Sequence, residues 1–273
     1  MELITKLKID IEKVNERNKE LIAKNIIKKF TIKEKRTINF WKGESNIMNK
    51  DGLYTYRDIT NFLLSNDKFT EINKNDIKSY ISIFDIKFDN YDLIENINKI
   101  LEEIQTNRIK NCIKYIKILD KSFMKGIYSN DIIYRVMSEP YNGNIIKNIS
   151  AWSLVPIPYF CNNNKDNCYL YITKIPKNIK VLYLENNIKD TKNLNNFTLW
   201  KHYEYEYLLP RNLEFKILNE KEIKINNIWY NNKQENKSKH KFIKYNVIYI
   251  KIIKKNENNY KFDTKPVKLV NNK

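Results

Sequence analysis

Apolar side chains recur along the first thirty residues at alternating spacings of three and four positions. The apolar positions are Ile4, Leu7, Ile11, Val14 and Leu21. Asn18 fills the gap in this stripe. The spacing predicts one amphipathic helix over residues 1–30. Such a helix either forms a short coiled-coil seam or packs on its own domain, and we favour the second.

Further helices are predicted up to about residue 121. Residues 31–55 are less regular, with Trp41 as an apolar anchor and a turn at Asp51-Gly52. A helix is predicted over 56–65, with Leu63 and Leu64 on its buried side. A second begins at a cap, Asn75 or Asp76, and runs to Phe84. Two more are predicted from Asp92 to about Ile104 and from about Asn107 to Lys121.

After residue 130 the apolar period changes from helical to alternating. The predicted strands are 131–137, 148–155, 168–174, 179–184, 203–209, 213–218 and 242–254. Asn142-Gly143 marks a turn between the first two. Helices followed by strands are typical of an α+β domain with mixed, mainly antiparallel sheets. We expect a helical extension over residues 1–72, a catalytic domain over 73–256 and a flexible basic tail over 257–273.

Composition narrows the class of protein. The 273 residues are enough for a sizeable core, and the formal net charge of +18 favours polyanionic partners such as nucleic acid. The three cysteines, Cys112, Cys161 and Cys168, show no CxxC spacing, so we expect no metal site and no disulfide framework. No signal peptide and no membrane span are indicated, and the expected location is cytoplasmic.

The predicted strand at 203–209 carries two acidic residues, Glu204 and Glu206. Side chains alternate between the faces of a strand, so both carboxylates are expected on one face, roughly 7 Å apart. This is either a solvated edge-strand face or a paired-carboxylate site.

Several motifs in this order resemble those of mono-ADP-ribosyltransferases, NAD-dependent enzymes of the arginine–serine–glutamate type. The segments that carry the resemblance are Asp131-Ile132-Ile133-Tyr134-Arg135, Asn148-Ile149-Ser150-Ala151-Trp152-Ser153-Leu154, Tyr169 to Tyr183-Leu184, Glu204-Tyr205-Glu206-Tyr207-Leu208-Leu209-Pro210, and the segment 242–254. The similarity covers roughly residues 75–256. It implies a domain with an ADP-ribosyltransferase-like fold that binds NAD as co-substrate and needs no metal.

The resemblance implies a role for each charged residue of these motifs. Glu206 stabilises the positive charge that develops on the ribose when the nicotinamide bond breaks, as in glycoside hydrolysis. Glu204 orients and deprotonates the nucleophile, and a Glu at this position goes with arginine as acceptor. Arg135 grips the phosphates of NAD with its planar guanidinium. Val136 replaces a frequent Gly whose backbone holds the nicotinamide carboxamide.

Two registers compete for the serine that orients the catalytic Glu in this family. In the first, Ser150 takes that role. In the second, Ala151-Trp152-Ser153 replaces the family's serine triplet, with Ala151 where the first serine belongs, and Glu206 then lacks one of its usual orienting bonds. Ser150 and Ser153 are three apart and cannot share a face of a regular strand.

The resemblance implies transfer of ADP-ribose from NAD to a protein acceptor, most simply to an arginine. The loop at 198–203 occupies the position of the family's acceptor-recognising turn. The alternatives are an NAD glycohydrolase, transfer to nucleic acid, and a catalytically inactive module that binds polyanions through its positive charge.

Overall fold

The protein is described here from a computed structural model. The described residues are 10–24, 26–42, 49–53, 55–64, 71–72, 78–79, 81–82, 93–156, 168–184, 205–226, 242–258 and 268–269. They fall into two compact units, the first within residues 1–28 and 125–257 and the second within residues 29–124 and 258–273. The first helix belongs to the same unit as the sheet. The predicted domain boundaries stay a prediction.

Besides short helical stretches at 78–79 and 81–82, four longer α-helices lie in the described parts of the chain. They are α1 (Ile11–Ala23), α2 (Ile32–Lys42), α3 (Thr55–Leu64) and α4 (Leu93–Met124), with a short 3₁₀ helix at Ile26–Lys29. None of these helices combines the length and the apolar composition that crossing a membrane requires.

Local hydrogen bonds explain where two of the helices begin. The Asp10 side chain caps α1 by accepting a bond from the Lys13 amide at 3.2 Å. Thr31 and Glu34 form a reciprocal capping box at the start of α2, in which the Thr31 amide donates to Glu34 Oε2 at 2.7 Å and the Glu34 amide donates to Thr31 Oγ1 at 3.2 Å.

The second unit contains α2, α3 and α4, together with a two-stranded parallel sheet of β1 (Glu71–Ile72) and β11 (Lys268–Leu269). A buried ion pair joins two of these helices, since Arg108 Nη2 of α4 lies 2.9 Å from Asp58 Oδ2 of α3. Trp41 of α2 is buried, as predicted.

The first unit contains α1 and a nine-stranded sheet. The strands are β2 (Ile127–Tyr128), β3 (Ile132–Met137), β4 (Ile145–Ile146), β5 (Ser150–Ser153), β6 (Cys168–Lys174), β7 (Lys180–Tyr183), β8 (Glu206–Leu209), β9 (Leu213–Asn226) and β10 (Phe242–Lys255). Their order across the sheet is β2-β7-β8-β5-β3-β6-β10-β9-β4. Only the pairing of β6 with β10 is parallel among the strand pairs of this sheet that the structure describes. The predicted α+β class with a mixed, mainly antiparallel sheet is confirmed.

The two faces of the sheet carry different apolar clusters. The α1 face, named for the helix that packs on it, includes the buried side chains of Ile133, Trp152, Tyr171, Tyr207, Leu209, Phe215, Ile248 and Ile250. Leu21 of α1 is buried in this cluster, with Val14 and Ile22 packed against it. The opposite face includes Val136, Leu170, Ile172, Tyr245 and Val247. Burying each large apolar side chain stabilises the fold by about 1.5–3 kcal/mol.

Several helix predictions need correction. The described part of the first helix ends at Ala23, and residues 31–42 contain α2 where less regular structure was expected. Leu63 is buried but Leu64 is exposed. The helices expected from Asp92 to Ile104 and from Asn107 to Lys121 are one continuous helix, α4. The helix expected up to Phe84 lies largely outside the described residues.

The cysteines also differ from expectation. Cys168 is disulfide-bonded, so the interpretation that the cysteines do not pair is wrong. Cys112 on α4 is free and fully buried.

We expect Cys112 to resist alkylation in the folded protein. Burial raises the pKa of the Cys112 thiol, and the nearby Asp58 carboxylate raises it further, although Arg108 acts in the opposite direction. The reactive thiolate is therefore scarce as well as shielded. Iodoacetamide labelling with peptide mapping is expected to modify Cys112 only in urea. Labelling at the same rate with and without urea would contradict the described packing of α4.

Candidate active site around Glu206

Glu206 and Ser153 lie directly opposite each other on neighbouring antiparallel strands, β8 and β5. The Leu154 amide donates to the Tyr205 carbonyl at 3.2 Å, which makes 153 and 206 a non-hydrogen-bonded pair of the ladder. In such a pair the Cα atoms are about 4.5 Å apart and the side chains approach closely on one face. The Ser153 hydroxyl is thus placed beside the Glu206 carboxylate.

Both members of this pair are withdrawn from solvent, with Glu206 exposed by 8% and Ser153 by 4%. The Glu206 carbonyl accepts a bond from the Leu184 amide at 2.9 Å, which ties the backbone to the chain just past β7. Ser153 Oγ accepts a bond from the Val155 amide at 3.1 Å. A carboxylate in such a setting is costly for folding alone, so its position is a candidate functional site.

The structure separates the two serines between the faces of the sheet. Ser150 lies opposite Leu209, and its hydroxyl accepts a bond from the Trp152 indole at 2.9 Å. Ser153 is the serine opposite Glu206. Which of the two registers holds, and which residue orients Glu206, stays a prediction.

Arg135 does not lie with Ser153 and Glu206. Tyr134 is the direct partner of Ser153, and neighbouring residues of a strand point to opposite faces. Arg135 therefore points to the α1 face, where its partner in β6 is Tyr171. Its Nη1 donates to the Ala151 carbonyl at 2.6 Å, and its buried Nε has no hydrogen-bond partner among the described residues. A role for Arg135 in phosphate binding stays a prediction.

Val136 returns to the same face as Glu206. It is buried in the apolar cluster with Leu170, its partner in β6. The predicted backbone contact of Val136 with the nicotinamide carboxamide stays a prediction.

Tyr205 lies directly before Glu206 and does not have strand conformation. The predicted strand at 203–209 begins only at Glu206, and Tyr205 has a left-handed backbone with φ 49°. Such a conformation is uncommon for a bulky residue and is disfavoured sterically. The alternation expected over 203–209 is therefore broken at Tyr205. Glu204 and the loop at 198–203 lie outside the described residues.

The α1 helix holds Tyr205 and the sheet through polar contacts that the sequence did not reveal. The Tyr205 hydroxyl donates to Asn15 Oδ1 at 2.6 Å, and the Tyr183 hydroxyl donates to Asn18 Oδ1 at 2.6 Å. Asn18 is buried. The only sequence signal was the polar interruption at Asn18 in an otherwise apolar stripe.

We expect Tyr205→Phe to destabilise the protein by about 0.5–1 kcal/mol, because one net hydrogen bond to Asn15 is lost. Asn15→Ala should have a similar effect in urea unfolding. In a double-mutant cycle the combined variant should cost little more than either single change. Strictly additive losses would show that the two groups do not interact.

The chain matches no protein-family model. It matches no curated protein either. It is similar in structure to bacterial ADP-ribosyltransferase toxins. One is the ADP-ribosylating toxin BECa of a binary enterotoxin of C. perfringens, solved with NADH, at 13% identity and a TM-score of 0.48. The similarity covers 90% of this chain and 49% of BECa, so the chain spans about half the length of that toxin.

Two other similar structures are nearer in length to this chain. Plx2a, an ADP-ribosyltransferase toxin from Paenibacillus larvae, has 17% identity, a TM-score of 0.43, and coverage of 91% of this chain and 99% of its own. Vis toxin, an ADP-ribosyltransferase from Vibrio Splendidus, has 13% identity, a TM-score of 0.44, and coverage of 92% and 89%. A functional conclusion for this chain therefore rests on the geometry around Glu206.

Proposed function

We propose that the protein transfers ADP-ribose from NAD to a protein acceptor. The observation that carries this proposal is the buried cross-strand pair of Ser153 and Glu206. The sequence motifs around both residues resemble those of mono-ADP-ribosyltransferases, and in that family a serine hydroxyl orients the catalytic carboxylate. The register of β5 and β8, which sets Ser153 opposite Glu206, supports Ser153 in that role.

The proposed reaction breaks the bond between the ribose C1 and the nicotinamide nitrogen. The bonding electron pair leaves with nicotinamide, which becomes neutral, and positive charge develops on the ribose. The Glu206 carboxylate stabilises this charge in a site where burial strengthens the electrostatic interaction. The Ser153 hydroxyl donates to the carboxylate and fixes its orientation.

The acceptor atom then forms a bond to C1 and loses one proton. Glu204 is the proposed base, and it supports an arginine acceptor because a guanidinium is a poor nucleophile without a base. Water as acceptor would make the protein an NAD glycohydrolase. The net charge of +18 also permits a nucleic-acid acceptor.

Incubation with NAD labelled in its adenylate part tests the proposal. Purified protein is mixed with a whole-cell lysate, beside the Glu206→Gln variant as a matched control. Label on protein bands with the unmodified protein alone supports the transferase and reveals its targets. Free nicotinamide without labelled protein indicates a glycohydrolase, and label removed by nuclease indicates a nucleic-acid acceptor.

Absence of NAD binding and of nicotinamide release would refute the enzymatic proposal. A basic binding module would then be the better explanation. Such a module is expected to bind polyanions in a salt-sensitive manner, which a titration with RNA at two salt concentrations would detect.

A further inference from the structure

Three lysines lie side by side on neighbouring strands of the sheet. Lys216 of β9 pairs directly with Lys251 of β10. Lys251 and Lys174 of β6 each stand two residues beyond the direct pair of Tyr249 with Ile172, so Lys174 lies next to Lys251 in the same register. Residues two apart on a strand share a face, so all three project from the face opposite α1, which carries Tyr249 and Ile172. We call Lys174, Lys251 and Lys216 the lysine row.

The lysine row is unfavourable for folding alone. Its three side chains are exposed, and neighbouring strands hold their Cα atoms only about 5 Å apart. Like charges directly opposite each other on paired strands destabilise a sheet. In the described parts of the chain none of the three forms an ion pair, and Glu214, two residues before Lys216, pairs with Lys254 instead, at 3.2 Å. The positive charge of the row is therefore open to a partner of opposite charge.

The charges that follow the row on β9 are sorted between the two faces of the sheet. Glu220 pairs with Ile248, which is buried in the cluster of the α1 face. Lys221 pairs with Val247, which is buried in the cluster of the opposite face. The face that carries the lysine row thus gains a further lysine from this stretch of β9, while Glu220 points away from it.

Large aliphatic side chains flank the lysine row and are exposed. Ile132 of β3 pairs directly with Lys174, so it shares the face of the row, and it is 53% exposed. Leu218 of β9 and Ile253 of β10 are the unpaired residues of two β-bulges beside the row, and they are 57% and 48% exposed. Exposed apolar side chains that cluster in this way mark an interaction surface.

The chemistry of this surface favours an anionic lipid bilayer as its partner. Aliphatic side chains enter the boundary between headgroups and acyl chains, and the long stems of lysines let their ammonium groups stay among the headgroups. Protein interfaces are depleted in lysine and enriched in arginine and aromatic residues. Surfaces that bind single-stranded nucleic acid present aromatic rings to the bases. The lysine row is flanked by aliphatic side chains, which matches the bilayer.

We propose that the lysine row, with Ile132, Leu218 and Ile253, binds the surface of a membrane that contains anionic lipid. This inference goes beyond the transfer of ADP-ribose. It does not depend on Glu206 or on NAD, so the protein binds such a membrane whether or not NAD is present.

Co-sedimentation with vesicles of phosphatidylcholine, with and without phosphatidylserine, tests the proposal. The triple variant Lys174→Gln, Lys216→Gln and Lys251→Gln is expected to bind the phosphatidylserine vesicles on the order of a hundredfold more weakly, because each lysine near an anionic leaflet contributes about fivefold. The matched control removes three exposed lysines of α1 by Lys13→Gln, Lys19→Gln and Lys24→Gln. The control has the same net charge and is expected to bind within about threefold of the unmodified protein, because charges far from the bilayer are screened.

A second variant tests the aliphatic side chains separately. Raised salt screens the lysines, so the binding that remains depends on apolar contact. Ile132→Ser combined with Leu218→Ser is expected to weaken this remaining binding on the order of tenfold. Both side chains are exposed, so the variant should keep the Tm of the unmodified protein, which thermal unfolding without vesicles checks.

The outcomes separate this inference from its competitors and from the proposed function. Equal binding to both kinds of vesicle, or equal losses in the lysine-row variant and the α1 control, would overturn it. Binding of RNA that the lysine-row variant loses, without vesicle binding by the unmodified protein, would overturn it in favour of a nucleic-acid surface. Failure of nicotinamide release would refute the proposed function alone, because vesicle binding is measured without NAD.

Discussion

Glu206→Gln is expected to lower kcat for nicotinamide release by about a thousandfold. The substitution keeps the size and hydrogen-bonding capacity of the side chain but removes its negative charge. Removing one well-placed electrostatic contact from a transition state commonly costs a factor of 10² to 10³, and here the lost contact is a full charge in a buried site. KM for NAD is expected to change much less, because charge develops on the ribose mainly in the transition state.

Glu220→Gln is the matched control for this experiment. Glu220 lies on β9 and is exposed, so the same change of charge there should leave kcat unaltered. Initial rates of nicotinamide release at several NAD concentrations give kcat and KM for each variant. A Glu206→Gln protein that keeps more than a tenth of the original kcat would exclude Glu206 as the stabilising carboxylate.

Most strands of the sheet were predictable because each has a local pattern of apolar residues. Runs of β-branched and aromatic residues bounded by turn residues placed β3, β5, β6, β7 and β10 close to their observed limits. The pairing of β5 with β8 was not predictable in the same way. It joins residues about fifty positions apart, and no local signal in either strand fixes the register that sets Ser153 opposite Glu206.

The conformation of Tyr205 shows where a periodicity argument ends. The sequence Tyr-Glu-Tyr-Glu-Tyr has a strand-like alternation, and nothing in it indicates a left-handed residue before Glu206. A bulky residue held at φ 49° depends on tertiary contacts, here the bonds to Asn15 and Leu154. The sequence singled out Glu206 as a candidate but could not define the backbone geometry that precedes it.

The helices were predicted less well than the strands, because one local signal was given too much weight and another was missed. A break was predicted between Ile104 and Asn107, yet the spacing of Ile104, Arg108 and Cys112 continues one helical face through it, and α4 is unbroken. The start of α2 was missed although Thr31 and Glu34 have the spacing of a capping box.

Asp131→Ala is expected to destabilise the protein by about 2–4 kcal/mol through loss of the cluster that joins α1 to the sheet. Arg17 Nε of α1 donates to Asp131 Oδ1 at 2.9 Å and to Oδ2 at 3.0 Å. Ser129 and Tyr207 donate to Asp131 Oδ2 at 2.6 and 2.5 Å. Removing one partner of a mostly buried charged cluster leaves the others without compensation, which costs more than the bonds themselves.

Tyr207 connects this cluster to the candidate active site, since it follows Glu206 in β8 and points to the α1 face. Burial raises the pKa of Tyr207, and the Asp131 carboxylate raises it further, so its hydroxyl remains a donor to Asp131 at all ordinary pH values. Asp131→Asn keeps an acceptor for Tyr207 but loses the charge that Arg17 needs. The free energy of unfolding of Asp131→Asn, measured in urea, should therefore lie between those of the unmodified protein and Asp131→Ala.

An Arg17→Ala variant and the double variant complete a cycle for the ion pair. The coupling between Arg17 and Asp131 is expected to be about 1 kcal/mol or more, because Arg17 is only partly exposed and donates to both carboxylate oxygens. If Glu206 has its proposed role, loss of α1 docking should also lower kcat, since α1 holds Tyr205 directly before β8. If Asp131→Ala unfolds at the same urea concentration as the unmodified protein, this cluster does not hold α1 on the sheet.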